Sequence, residues 1–142
     1  MSPEIHELLD VLTKLAAQFL QDEEETFPPS GATLSRDRKV ELVKPYDREG
    51  YEAPEMQVGL LQASFRQAAA QGDIRACAFS LDVQVQDPRT EQETEAILVS
   101  VETESGEAMD IFVPYTRSPE FELGRPFASE REPRIFATGE PS

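Results

Sequence analysis

Residues 96–115, AILVSVETESGEAMDIFVPY, constrain the fold more than any other stretch of the chain. Two runs of alternating apolar residues flank an acidic turn with one glycine, the pattern of a hairpin buried on one face. A two-residue Ser105-Gly106 turn would set Val101 opposite Asp110 and make one core face half polar. A three-residue loop, Glu104-Ser105-Gly106, instead pairs Val101 with Met109, Val99 with Ile111 and Ile97 with Val113. The second register keeps like with like, so a type I turn closed by a glycine bulge is expected, with Gly106 at positive φ. No His, Cys, Lys or Arg lies in this stretch, which makes it a wall of a core rather than a platform for chemistry.

The preceding segment, residues 74–86, alternates in the same way: Cys77, Phe79, Leu81, Val83 and Val85 against Ala76, Ala78, Ser80, Asp82 and Gln84. Grouping odd positions across all three strands gives one large apolar face. The even positions Ala76, Ala78, Ser80, Ala96, Leu98, Ser100, Ala108 and Phe112 are small or apolar, so a second layer is expected there too. Asp82, Glu102 and Asp110 interrupt that even face, which implies partial cover by the first helix or by the C-terminal tail.

Two helices are predicted. Over residues 3–21, Ile5, Leu8, Leu9, Leu12, Leu15, Ala16, Phe19 and Leu20 recur at three- and four-residue intervals, with Ser2 as cap and Pro3 in the first turn. A second spans about 54–71, with Val58, Leu61, Phe65 and Ala68 or Ala69 on its inner face and Gly72 as a left-handed stop. Between them, residues 31–43 suit a hairpin whose even positions Ala32, Leu34, Val40 and Leu42 point one way, with Arg36, Asp37 and Arg38 at the turn. The result is an α+β class chain of order α-β-β-α-β-β-β.

That order of elements over residues 3–115 resembles the profilin-like architecture of roadblock and longin-type domains. The resemblance implies one five-stranded antiparallel sheet, order 2-1-5-4-3, packed by two helices. The alternative is a two-layer α+β sandwich with a bare sheet face. The phrases FPPSGATL, VPYTR and GRPFASEREPRIF resemble small uncharacterised bacterial α/β proteins, a resemblance that implies no activity and carries no catalytic residues.

With 142 residues the chain suits a single domain, placed here at residues 1–117, followed by an extended arm over 118–142 whose last residues are expected to be disordered. Pro119, Gly124, Pro126 and Pro133 exclude a long helix in the arm, yet Phe121, Leu123, Phe127, Ile135 and Phe136 are too apolar for an idle linker. The arm therefore lies across its own domain or docks on another copy or a partner.

The 28 acidic residues outnumber the 13 basic ones, a net charge of −15 that opposes binding to nucleic acid or anionic membrane and favours a basic partner or plain solubility. The N-terminal MSPEIHELLDVLTKLAAQFL has no basic leader region and interleaves charges with its apolar residues, so neither a signal peptide nor a membrane span is expected. Together with the single cysteine, this places the expected site of action in the cytoplasm.

Catalytic constellations are sparse. His6 is the one histidine and lies beside a helical apolar stripe; Cys77 sits in a strand among large apolar residues. The carboxylates of EQETE, ETESGE and DEEE match no calcium-loop order, and neither a phosphate-binding glycine loop nor a serine elbow occurs. No catalytic, cofactor or metal residue is assigned. The expectation is a non-enzymatic module that binds another protein or itself, with Tyr46, Tyr51, Arg36, Arg38, Phe121 and Phe127 as candidate contact residues. The alternatives are a small-molecule sensor or carrier with a pocket between the sheet and the 45–54 loop, and an enzyme working with carboxylates alone or a hard metal ion.

Overall fold

The computed structural model describes residues 2–22, 27–44 and 53–136. Helix α1 spans Pro3–Gln21; the Ser2 hydroxyl accepts from the Ile5 amide at 3.4 Å, and Ile5, Leu8, Leu12, Ala16 and Leu20 are buried. Strands β1 (Ser30–Ser35) and β2 (Val40–Val43) form the first hairpin, pairing Ala32 with Leu42 and Leu34 with Val40. Helix α2 spans Pro54–Ala70, buries Leu61 and Phe65, and ends at Gly72, whose φ is +74°. Strands β3 (Ile74–Gln86), β4 (Glu93–Thr103) and β5 (Ala108–Thr116) follow as a meander. Two short strands in the arm, β6 (Glu122–Leu123) and β7 (Phe127–Glu130), complete the list.

The β4–β5 register follows from side-chain pattern and turn chemistry. Val101 faces Met109, Val99 faces Ile111 and Ile97 faces Val113. Gly106 takes φ +105° and donates to the Thr103 carbonyl at 3.1 Å, while the Thr103 amide donates to the Glu107 carbonyl at 2.9 Å. A glycine there meets no steric penalty at positive φ, which fixes the three-residue loop.

The strand order corrects the expected 2-1-5-4-3. The sheet runs β2-β1-β3-β4-β5, with β6 and β7 both on the outer edge of β5, seven strands among the described residues in place of five. β1 pairs with β3 through Ala32↔Ala78 and Leu34↔Ala76, so α2 lies in a crossover from β2 to β3 that passes over β1. The reason is competition for the β5 edge. The arm returns along β5 after a short connection, at low loop-closure cost, and leaves β1 to pair with β3.

The face assignment of β3 is also corrected. Ala78 lies opposite Val101, Ser80 opposite Val99 and Cys77 opposite Glu102, so even positions of β3 share a face with odd positions of β4 and β5. The connection over residues 87–92 has an even length, which reverses the parity that the three-residue β4–β5 loop preserves. One face thus gathers Ala32, Leu34, Ala76, Ala78, Ile97, Val99, Val101, Ile111 and Val113 beneath α1. Burying each of the larger side chains is worth about 1.5–3 kcal/mol.

The other face carries Cys77 and Phe79, against which Leu61 and Phe65 of α2 pack. α2 approaches closely because Gly31 lies beneath it: a Cβ there would stand 2.9 Å from Leu61 Cδ2 and from Phe65 Cζ. Its main strand contacts are with β1 and β3. The remainder of this face, where Ser100, Glu102, Asp110 and Phe112 project from β4 and β5, is covered by the arm. Among the described residues no helix is long and apolar enough to cross a membrane.

Candidate functional site

Beyond Thr116 the chain reverses and runs antiparallel to β5. Phe121 packs on Tyr115 with ring centroids 5.9 Å apart, Leu123 pairs with Tyr115, and the Gly124 amide donates to the Pro114 carbonyl at 2.7 Å. From Phe127↔Phe112 to Glu130↔Met109 the arm is an added strand, and the Arg131 amide donates to the Ala108 carbonyl at 3.1 Å. Phe127 stacks on Phe112 at 5.2 Å and 18°, and the Arg89 guanidinium covers the Phe127 ring at 5.7 Å.

Arg131 then turns under the arm onto the sheet, its side chain only 11% exposed. Its Nη1 donates to Glu102 Oε2 at 2.7 Å, its Nε to Asp110 Oδ1 at 3.0 Å and its Nη2 to Ser100 Oγ at 2.8 Å. Ser100 Oγ in turn donates to Asp110 Oδ1 at 2.7 Å. The planar fork of arginine suits three acceptors fixed on two adjacent strands, whereas a lysine is a compact point charge on a flexible stem.

Glu102 is 1% exposed in the middle of a β-sheet, a position a carboxylate occupies only when its oxygens are satisfied. Three backbone amides of the arm satisfy it alongside Arg131. Arg134 N donates to Oε2 at 2.8 Å, and Ile135 N and Phe136 N donate to Oε1 at 2.9 and 3.3 Å. Ile135 and Phe136 pack against the Leu61, Phe65, Cys77 and Phe79 cluster, while Arg66 of α2 donates to the Arg134 carbonyl at 3.1 Å. A cavity of about 10 Å³ remains between Phe65, Cys77, Glu102 and Arg131, room for no more than one water. The seat is filled.

Cys77 lies opposite Glu102. Burial, reinforced by the Glu102 charge and opposed by Arg131, pushes its thiol far above the ordinary range, so it stays a protonated thiol. Among the described residues no group of three or more His, Cys, Asp or Glu side chains is placed to hold a metal ion. The arrangement clamps an extended segment by charge, backbone donors and apolar contact.

Phe121 and Phe127 both belong to this seat, against Tyr115 and Phe112. Arg36 and Arg38 do not: they stand at the β1–β2 turn, two strands away in sheet order, and each is paired within the chain. Arg36 binds Glu104 and the Gly72 carbonyl; Arg38 binds Glu7 at 3.0 Å and Glu4 at 3.7 Å. Backbone hydrogen bonding, with Arg75 and Arg38 beside it, lowers the Glu4 carboxyl below its usual range against the effect of desolvation. Tyr46 and Tyr51 lie outside the described residues. His6 is exposed on α1.

A second concavity, about 320 Å³, opens between β3 and the start of α2, lined by Phe27, Pro28, Pro29, Pro54, Gln57, Leu81 and Asp82. Pro54, in its lining, is the last residue of the 45–54 segment, of which residues 45–52 lie outside the described residues.

Ser100, Glu102, Asp110 and Arg131 were not singled out by the sequence reading as contact residues. One signal for them existed: a carboxylate inside an apolar alternation, LVSVET, demands a cationic partner, and the apolar arm carries arginines. Comparison of the chain with protein-family models, with curated proteins and with solved structures gave no match.

Proposed function

We propose that this chain is a non-enzymatic protein-interaction module that accepts an extended polypeptide segment as an added strand along β5. The observation that supports this reading is the buried Glu102, whose described partners all come from residues 131–136 of the arm. A sheet that buries a carboxylate for a strand-borne arginine has the chemistry of strand addition, with main-chain bonds for affinity and side-chain seats for selection. The net charge of −15 favours a basic partner and disfavours nucleic acid. A reduced, lone Cys77 suits action in the cytoplasm.

Peptide-display selection against the full chain tests the reading. Enriched segments are expected to be extended and to protect the β5 amides Met109–Phe112 from hydrogen exchange. Selection of nothing, or protection confined to other elements, refutes it. The second reading, a small-molecule carrier, is favoured by the concavity of about 320 Å³, at the lower end of ligand-pocket sizes. A thermal-shift screen that raises the melting temperature of wild type but not of Asp82→Ala supports it.

A further inference from the structure

We infer that residues 127–136 are a resident pseudo-ligand, and that the seat serves a basic segment of a foreign protein carrying an aromatic residue, an arginine four positions later, and an aliphatic–aromatic pair four and five positions after that. The inference rests on the proposed strand-accepting function and names its ligand chemistry. Each element of the spacing has a built receptor. Phe127 occupies the face of Phe112, and Arg131 occupies Ser100, Glu102 and Asp110. Ile135 and Phe136 bring two amides to Glu102 Oε1 and two apolar side chains to the α2 cluster.

The resident segment brings no net charge to a chain of net charge −15: exposed Glu130 and Glu132 flank Arg131 and offset it together with Arg134. A foreign segment with lysine or arginine at these two positions gains an attraction to the acidic chain that the neutral resident lacks, in rate of encounter as well as in affinity. The arm holds its place through tethering, which supplies an effective concentration on the order of millimolar. It therefore excludes weak ligands and yields to a better-charged one. A second copy gains nothing comparable: a reciprocal exchange only replaces each arm by an identical one, and the two copies must approach against like net charge.

The test uses the full chain and labelled synthetic peptides in fluorescence anisotropy. One peptide has the sequence of residues 126–136; a second replaces both Glu130 and Glu132 by lysine; a third replaces the arginine at position 131 by alanine and keeps that at 134. Wild-type chain should bind the first at or above roughly millimolar concentration, the strength at which tethering hides the seat. The variant Arg131→Ala, whose own arm is loosened, should bind the first peptide at least ~10-fold tighter, a gain of affinity from removing a protein contact. The lysine peptide should bind both proteins more tightly still, with the advantage shrinking as salt rises; the alanine peptide should bind neither.

Because Arg131→Ala also removes partners from Glu102, the double variant Ile135→Ser, Phe136→Ser repeats the test with the carboxylate seat untouched, and circular dichroism checks that both remain folded. No gain in either folded variant overturns the pseudo-ligand. Equal binding of all three peptides overturns the arginine code. Display-selected segments that protect Met109–Phe112 but lack arginine would leave the strand-accepting function standing while sinking this inference. A mixed dimer of wild type and Arg131→Ala in light scattering assigns the seat to a second copy and overturns the foreign partner.

Discussion

Replacing Glu102 by glutamine alters one atom at the centre of the arm's attachment and makes a quantitative demand. In the native chain two oxygens accept from four donors: Arg131 Nη1, Arg134 N, Ile135 N and Phe136 N. Glutamine offers one oxygen and one NH₂ group. Whichever way the amide turns, two of the four donors face another donor in a site 1% exposed to solvent. A buried orphaned donor costs about 1–3 kcal/mol, so the arm should lose about 2–6 kcal/mol of docking free energy, up to the whole of it. The lower bound corresponds to roughly a 30-fold change in the opening equilibrium, at about 1.4 kcal/mol per factor of ten. Native-state hydrogen exchange reads this directly. The amides of Arg134, Ile135 and Phe136 should lose at least that much protection, while those of the β3–β4 ladder, such as Val99 and Val101, should change little. If the three arm amides keep their protection, or if all amides weaken together, the carboxylate is not what holds the arm.

Three further outcomes follow from the packing and the charges. Gly31→Ala places a methyl 2.9 Å from Leu61 Cδ2 and Phe65 Cζ and 3.1 Å from the Val43 carbonyl, so urea denaturation should show a loss of about 1–3 kcal/mol. Unchanged stability would show that α2 shifts freely. The Tyr115 hydroxyl donates to Asp82 at 2.8 Å, and burial, together with that carboxylate and against the pull of Arg117, pushes its pKa up to about 12. An unfolded tyrosine ionises near pH 10, so this stabilisation is complete below pH 10 and is lost as the pH rises to about 12. Stability measured by urea across that window should fall more steeply for wild type than for Tyr115→Phe, and parallel curves would refute the assignment. Cys77, buried and held as a thiol, should react with iodoacetamide at pH 8 far more slowly than a free cysteine. The Ile135→Ser, Phe136→Ser variant should accelerate that reaction by opening its cover, and an unchanged rate would place the cover elsewhere.

The elements that depend on neighbours in sequence were legible. Helix α1, its Ser2 cap, the stop at Gly72 and the β4–β5 register all rest on periodicity and on which backbone angles a residue tolerates. Strand order was not, because it turns on which of two segments takes the β5 edge, a competition decided by loop closure that leaves no periodic mark. The parity of β3 against β4 hinged on the length of the 87–92 connection, where the positive φ at Glu91 has no glycine to announce it. Glu102, Asp110 and Arg131 were hidden for a different reason: an isolated carboxylate in a strand looks like an exposed edge residue until its partner, about thirty positions away, is laid beside it. Phe121 and Phe127 were singled out because large apolar residues in a proline-punctuated segment need a surface to cover, and both rings pack on β5, against Tyr115 and Phe112.

The seating of Glu102 also sets an order of events during synthesis. α1, made first, packs on a face that also takes Ile111 and Val113 of β5, so its apolar side has no complete surface until those residues have been added. At that moment the sheet already contains Glu102, with none of its described partners yet made, for these belong to residues 131–136. The nascent sheet must leave this carboxylate in water, which delays closure of the face that α2 shares. Ribosome pauses in the codons for the arm would therefore hold the chain half-assembled, with the α2 cluster around Cys77 and Phe79 lacking the cover of Ile135 and Phe136.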